Sequence, residues 1–259
     1  CNTEIKYIPF DTEEELRLYL KVFHKERGYI LNSNNYIYML ENLLRIRQIC
    51  IHPQLYYDGI AKKYDEDTIK WQHGSTKINA LVNSFKSHHA DDKTLIFCQF
   101  VKEMTLISDA LNSIGINTVR LDGTMSIEDR AIAVEDFKKK PHLKAFLIQI
   151  NTGGQGINLQ VANRIYIMSP NWNPALEHQA IGRCHRTGQR REVYVTKFVM
   201  TSCDSRIPFV EDNIIKLQDA KRRIVADILN EKITDEDVNK SSVLSTQDIY
   251  KLFNIYKSV

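Results

Sequence analysis

Apolar positions in the first fifty residues recur at helical spacing. Leu16, Tyr19, Leu20 and Phe23 share one face of a helix over residues 11–26, and Thr12 with Glu15 forms a capping box at its start. Residues 35–50 predict a second helix, which must end before Pro53 because the residue ahead of a proline is driven to extended backbone. The period is lost over residues 58–74, a polar stretch that predicts a mobile linker. Beyond it short apolar runs alternate with amphipathic stretches. Residues 94–98, 118–121, 145–150, 164–168 and 192–199 predict strands. Between them, Met104, Ile107, Leu111 and Ile114 lie in helical register with Gly115 at the end. Ser126 with Asp129 opens a further helix that closes on Lys138, Lys139 and Lys140, where positive charge suits the dipole. Pro174 sits at a helix start, where its missing N–H costs nothing. Such alternation predicts an α/β fold: a parallel sheet with helices on both faces and the site in the loops at the strand C-termini. A last helix spans residues 210–229, with Val210, Ile214, Leu217, Lys221, Ile224 and Ile228 near one face. The tail from residue 235 is polar, with one short helix over 246–256 and no internal repeat anywhere.

Composition adds bounds. The 259 residues are 43% hydrophobic and 26% charged, which suits one large domain with an ordinary core. The formal net charge is only +3, so any grip on nucleic acid must come from local basic patches. No apolar run approaches membrane-span length and no signal peptide is visible, so no membrane partner is expected. Cysteines 1, 50, 98, 184 and 203 stand far apart without a C-x-x-C pair, which argues against structural zinc and for reduced thiols in cytosol or nucleus. The first residue is Cys1 and not Met, so the chain is expected to be a piece of a longer protein.

The chemistry concentrates in Gln179-Ala-Ile-Gly-Arg-Cys-His-Arg-Thr-Gly-Gln189. Arg183 and Arg186 stand three apart, which puts both guanidinium groups on one face of a helix end. Gly182 and Gly188 clear space for a close backbone approach. Such a pair suits stabilising charge on a transferring phosphoryl group, and equally it could be a solvated basic helix end. Gly153, Gly154 and Gly156 permit tight turns whose N–H groups could bind a phosphate, or form a plain glycine loop. Gly123 N–H and the Thr124 hydroxyl could contact a phosphate, while Asp122-Gly-Thr124 also reads as an Asx-type turn, and both can hold at once. On spacing alone Arg130 is a surface arginine, and Trp172 is a packed loop aromatic before it is a stacking platform. Glu177 and Gln179 are candidates to orient the arginines by hydrogen bonding. His178 and His185 lack metal-ligand partners at convincing spacing, and no metal-binding residue is assigned. There is no G-x-x-x-x-G-K-[ST] loop and no acidic magnesium-binding box.

Five stretches, in order, carry a resemblance. Leu44-Arg-Ile-Arg-Gln-Ile-Cys-Ile-His-Pro53 resembles the helix that joins the two lobes of the Swi/Snf family of DNA-dependent ATPases. Thr94-Leu-Ile-Phe-Cys-Gln-Phe100 is similar to motif IV of that family, and Leu121-Asp-Gly-Thr-Met-Ser126 with Arg130 to its DNA-contacting motif. Thr152-Gly-Gly-Gln-Gly-Ile-Asn-Leu159 resembles motif V, and Pro170 through Gln189 resembles motif VI with its lead-in. The chain departs from the pattern at Asn171, where a second aromatic is usual, at Gln155, where a small or aliphatic residue is usual, and in the long stretch from Ser202 to Phe209. Gln189 argues against the RNA-helicase relatives, whose motif VI usually closes on arginine.

The resemblance implies the second RecA-like lobe of a superfamily 2 DNA translocase, in the branch with repair- and transcription-associated members and viral relatives. Its parts would be a helical segment joining the lobes (1–57), a flexible linker (58–75), the RecA-like lobe (76–201), a bracing helix (202–234) and a polar tail (235–259). ATP with Mg2+ would bind between this lobe and an N-terminal lobe that supplies the phosphate loop and metal ligands. Arg183 and Arg186 would be arginine fingers, and Gln179, Gly182, Gly156 and Asn158 would line the nucleotide. Gly123, Thr124, Arg130, Thr152, Gly153, Gly154 and Trp172 would face double-stranded DNA. Nucleosomes or other DNA-bound proteins would be the remodelled partners, in the nucleus. A non-catalytic DNA- or partner-binding module and an RNA helicase lobe remain the alternatives.

Overall fold

The computed structural model describes residues 1–33, 35–152, 157–204, 206–229 and 244–256. The chain divides into two units, one of residues 1–6, 77–169 and 176–198 and the other of residues 7–76, 170–175 and 199–259.

The first unit is built on a six-stranded sheet in the order β1-β6-β5-β2-β4-β3, formed by Asn2–Pro9 (β1), Thr94–Cys98 (β2), Asn117–Leu121 (β3), Leu143–Gln149 (β4), Arg164–Ile167 (β5) and Tyr194–Thr201 (β6). The pairs β2–β4, β2–β5, β3–β4 and β5–β6 are parallel. Central β2 is buried along its whole length, as expected where both neighbours and both faces are covered. Helices Thr76–Phe85 (α4), Val101–Asn112 (α5), Ile127–Lys139 (α6) and Pro174–Ile181 (α7) alternate with the strands and cover both faces, the RecA-like arrangement that the sequence implies. Leu95, Phe97, Phe137, Phe146, Ile148, Ile165 and Ile167 anchor the core. Helix starts are fixed chemically. Ser126 Oγ accepts the Asp129 N–H at 3.0 Å at the head of α6. The buried Glu103 carboxylate accepts the N–H groups of Gln99 (2.8 Å) and Phe100 (3.0 Å) at the head of α5.

Asp92, just ahead of β2, ties the N-terminal ends of the strands together. It accepts from Arg164 Nε (2.6 Å), Arg191 Nη2 (2.6 Å) and Asn163 Nδ2 (2.8 Å). Burial alone would raise its pKa. The hydrogen bonds from Arg164 and Asn163 outweigh burial and hold the carboxyl well below the usual range.

The second unit is helical: Glu13–Leu31 (α1), Tyr36–Ile51 (α2), Pro53–Tyr64 (α3), Val210–Leu229 (α8) and Thr246–Leu252, here α9. Its core is a run of rings. Tyr19 stacks on Phe209 with centroids 4.3 Å apart, and Phe23 stacks on Phe253 at 5.4 Å. The Tyr19 hydroxyl accepts the Val210 N–H at 2.8 Å, so one buried polar atom both satisfies the ring and caps α8. Glu15 accepts from Thr76 N at 3.1 Å and from its hydroxyl at 2.5 Å.

Two elements differ from the sequence expectation. Residues 53–64 are helix α3, although 58–74 reads as linker. Within that helix Gly59 makes room for Arg45: a Cβ there would lie 1.9 Å from its Nη1. Strand β1 lies in a segment read as helical, and its residues are mostly exposed, so no apolar alternation announces it.

Candidate functional site

Strands β3, β4 and β2 end side by side, with Leu121 opposite Ile148 and Cys98 opposite Gln149. Their C-terminal loops carry most of the residues singled out from sequence, as expected for an open parallel sheet.

After β3, the turn at Asp122 is the expected Asx turn. Buried Asp122 Oδ1 accepts from Thr124 N (2.9 Å) and from its hydroxyl (2.5 Å), and Arg120 Nε lies 3.5 Å from Oδ2. Burial works to raise the Asp122 pKa, but these hydrogen bonds, with Arg120 and Arg130, lower it. Arg130 stands on α6 with its Nε buried and unpaired. Gly123 N–H donates to Gln149 Oε1 at 3.0 Å, and a Cβ on Gly123 would lie 3.5 Å from Thr152 Cγ2. Thr152 itself donates its hydroxyl to Gln149 O at 2.7 Å. The structure therefore brings Gly123, Thr124 and Thr152 together, with Gln149 gripping both loops. Gly153, Gly154 and Gly156 lie outside the described residues.

Downstream of α7 the chain tightens into successive turns. Gly182 N–H donates to His178 O at 2.9 Å, and a Cβ on Gly182 would meet that same oxygen at 3.3 Å, so a side chain would crowd the helix end. Gly188 has φ 98°, in the left-handed region that favours glycine. The two arginines behave differently. Arg186 is exposed and returns its Nε to Gly182 O at 2.6 Å. Arg183 is only 8% exposed, its Nε has no acceptor, and among the described residues no carboxylate pairs with it. Burial first, and the like charge of Arg186 second, lower its pKa, although a guanidinium stays charged. A buried cation without a counter-charge is costly, and an incoming anion would relieve that cost.

Gln179 and Asn158 are exposed. Asn158 Oδ1 accepts Gln160 N–H at 3.1 Å, a local turn contact. Glu177, expected to orient the arginines, is fully buried with its carboxylate 2.5 Å from Lys197 Nζ. His178 and His185 are exposed, and no His/Cys/Asp/Glu cluster among the described residues could hold a metal ion.

Three glutamines make contacts that sequence reasoning did not assign. Gln189 Nε2 donates to Gln160 O (2.9 Å) and Ala162 O (3.0 Å), and Gln160 Nε2 donates to Thr187 O (2.8 Å), so the two clamp the arginine loop. Gln149 is the polar last residue after the apolar run Ala145–Ile148, a signal that could have marked it. Between them, buried Cys184 donates its thiol to Ala162 O at 2.8 Å, and burial pushes its pKa up to about 11.

In the second unit, Trp172 is half-buried beneath the Arg47 guanidinium, 5.0 Å from the ring centroid. Arg47 Nη2 also donates to Pro170 O at 3.1 Å. Packing thus accounts for the ring, as its loop position suggests.

Residues 76–188 match the helicase conserved C-terminal domain. The chain is 35% identical over 187 residues to the mouse "Helicase-like transcription factor", covering 70% of this chain and 18% of that protein. It is 33% identical over 194 residues to the "DNA repair protein rad8" of Schizosaccharomyces pombe, covering 72% of this chain and 16% of that protein. The chain thus spans less than a fifth of the length of either of these relatives. The SWI2/SNF2 ATPase core of Sulfolobus solfataricus, solved in complex with dsDNA, shares the fold with a TM-score of 0.68 at 24% identity, over 98% of this chain and 51% of that one.

Proposed function

Because the chain belongs to the Swi/Snf family of helicase-like ATPases, as a C-terminal, second RecA-like lobe, we propose that it forms half of an ATP-dependent double-stranded DNA translocase that remodels protein–DNA complexes. The observation that carries the reading is Arg183, 8% exposed and with a buried Nε that has no acceptor among the described residues, with Arg186 beside it. An orphaned cation at the end of a glycine-cleared turn fits the phosphates of ATP. Arg183 and Arg186 would act as arginine fingers, spreading the charge that develops on the transferring phosphoryl group. Gln179 and Gly182 would form the adjoining wall, and Asn158 and Gly156 would couple the nucleotide to the DNA-facing loop. Mg2+ would be held by the other lobe and, when bound, would neutralise phosphate charge.

Arg130, Gly153 and Gly154 would hold the backbone of double-stranded DNA, and Gly123, Thr124 and Thr152, whose N–H and hydroxyl donors are taken by Gln149 and Asp122, would shape the turns that present them. Such contacts position DNA without reading its sequence. The Sulfolobus solfataricus core solved with dsDNA supports this polymer, and relatives named for transcription and DNA repair support action on chromatin or other DNA-bound proteins in the nucleus.

The test uses the intact two-lobe protein at saturating duplex DNA. Arg183→Ala and Arg186→Ala should each lower ATP turnover by about a thousand-fold while ATP affinity changes less, since a finger acts on the transition state. Arg→Lys should also fail, because a point charge cannot reproduce the planar fork. Turnover within about threefold of wild type for both Ala variants, at unchanged melting temperature, would reject the assignment.

A further inference from the structure

Gln149 faces both DNA-facing loops, and no role follows for it from sequence. Its main-chain carbonyl takes the Thr152 hydroxyl at 2.7 Å, and its side-chain Oε1 takes the Gly123 N–H at 3.0 Å. The second bond has a directional consequence. An N–H can face only an acceptor, so the amide is oriented with oxygen on Gly123 and nitrogen away from it. Nε2 then carries two donors with no partner among the described residues, and it is not among their buried unpaired atoms. The Gly123 N–H, offered to a phosphate on sequence grounds, is already occupied.

We propose that Gln149 Nε2 is a phosphate-binding donor of the DNA-facing surface, taking over the role of the Gly123 N–H and held in register by it. The proposal rests on the DNA-facing reading of these loops. Three features favour an anionic, phosphate-like partner. The free group is a neutral donor pair, which suits an anion and does not suit a cation. Its carbonyl end is pinned, so little side-chain entropy remains to be lost on binding. Arg130, with an unpaired buried Nε, adds positive charge around the same turn, where Thr124 engages Asp122 Oδ1 and Arg120 Nε, 3.5 Å from Oδ2, offsets the carboxylate's charge. A neutral donor adds no counterion release, so its contribution differs in kind from that of a lysine or arginine.

The experiment is fluorescence-anisotropy titration of the intact protein with a short duplex DNA across salt, with melting temperature measured alongside. Gln149→Glu keeps an oxygen for the Gly123 N–H but removes the donors and adds negative charge. It should weaken binding by tenfold or more, on the order expected for losing a hydrogen bond to a charged group, at wild-type melting temperature. Gln149→Met, similar in size and uncharged, should weaken binding by about tenfold with an unchanged salt slope. Wild-type affinity in both variants, or tighter binding by Gln149→Met because Gly123 N–H is released to the phosphate, would overturn the proposal. Absence of duplex binding by the wild-type protein would overturn the DNA-facing reading itself, so the two failures are distinct.

Discussion

Single titratable residues set how this chain responds to pH. His88 is half-buried, with Nε2 2.8 Å from the Tyr166 hydroxyl, and His52 accepts the Gln54 N–H on Nδ1 at 3.0 Å. Burial dominates at both, Arg164 adds repulsion at His88, and each pKa falls to about 4. A histidine whose folded pKa lies below its unfolded value of about 6.5 must stay neutral in the native state while the unfolded chain takes up protons. Its stabilising contribution is complete above pH of about 6.5 and declines as pH falls toward about 4, at most about 3 kcal/mol per residue. Asp92 acts in the same direction but in a lower window: with its pKa depressed, its contribution is intact above the unfolded carboxylate value and is lost only as pH falls further. Urea midpoints should therefore drop between pH 7 and pH 4.5. His88→Gln should flatten part of that slope, and Asp92→Asn should not. An unchanged slope in His88→Gln would contradict the neutral, buried histidine.

Elements were legible in proportion to how fully they are buried. The central strands read as continuous apolar runs because both of their faces are covered, and the sequence places β2 at its observed bounds. Strand β1 was not legible, because an exposed strand has no apolar face to betray it. The C-terminal half of helix α3 was hidden because its polar residues continue into the polar stretch that follows, and no apolar period marks its end. In the site, residue types were legible but pairing was not. Nothing in R-x-x-R says that Arg183 is buried without a partner while Arg186 caps its own helix end. The Gln160–Gln189 clamp depends on segments about thirty residues apart meeting in space. Helix caps were legible where the cap is local, as at Ser126, but the cap of α5 is made by a carboxylate inside the helix itself. Replacing that carboxylate in Glu103→Ala leaves the Gln99 and Phe100 N–H groups without acceptors, and should cost about 1–3 kcal/mol in chemical denaturation. Glu103→Gln retains an oxygen and should recover a good part of the loss. Equal losses in the two variants would show that a neutral oxygen of the same shape does not cap α5 and that the carboxylate's charge is what Glu103 contributes.

At the scale of the whole molecule, the proposed role as one lobe of a two-lobe ATPase has its own predictable consequences. Phosphoryl transfer is almost entirely positioning and electrostatic stabilisation, which needs a phosphate cradle and a metal site as well as fingers. Residues 1–259 contain no G-x-x-x-x-G-K-[ST] segment, and the chain corresponds to 51% of the Sulfolobus solfataricus core. With a net charge of only +3, it also lacks the field to hold DNA tightly by itself. The isolated chain should therefore bind duplex DNA weakly, without sequence preference, and with affinity that falls steeply with salt. It should not turn over ATP with or without DNA, even though Arg183 is in place. Adding the N-terminal lobe in trans, or testing the intact protein, should restore DNA-stimulated hydrolysis, and Arg183→Ala should abolish that restored activity without altering the weak DNA binding of the isolated chain. A purified isolated chain with DNA-stimulated turnover that Arg183→Ala removes would show that residues 1–259 hold a complete site, and the two-lobe reading would fail with it.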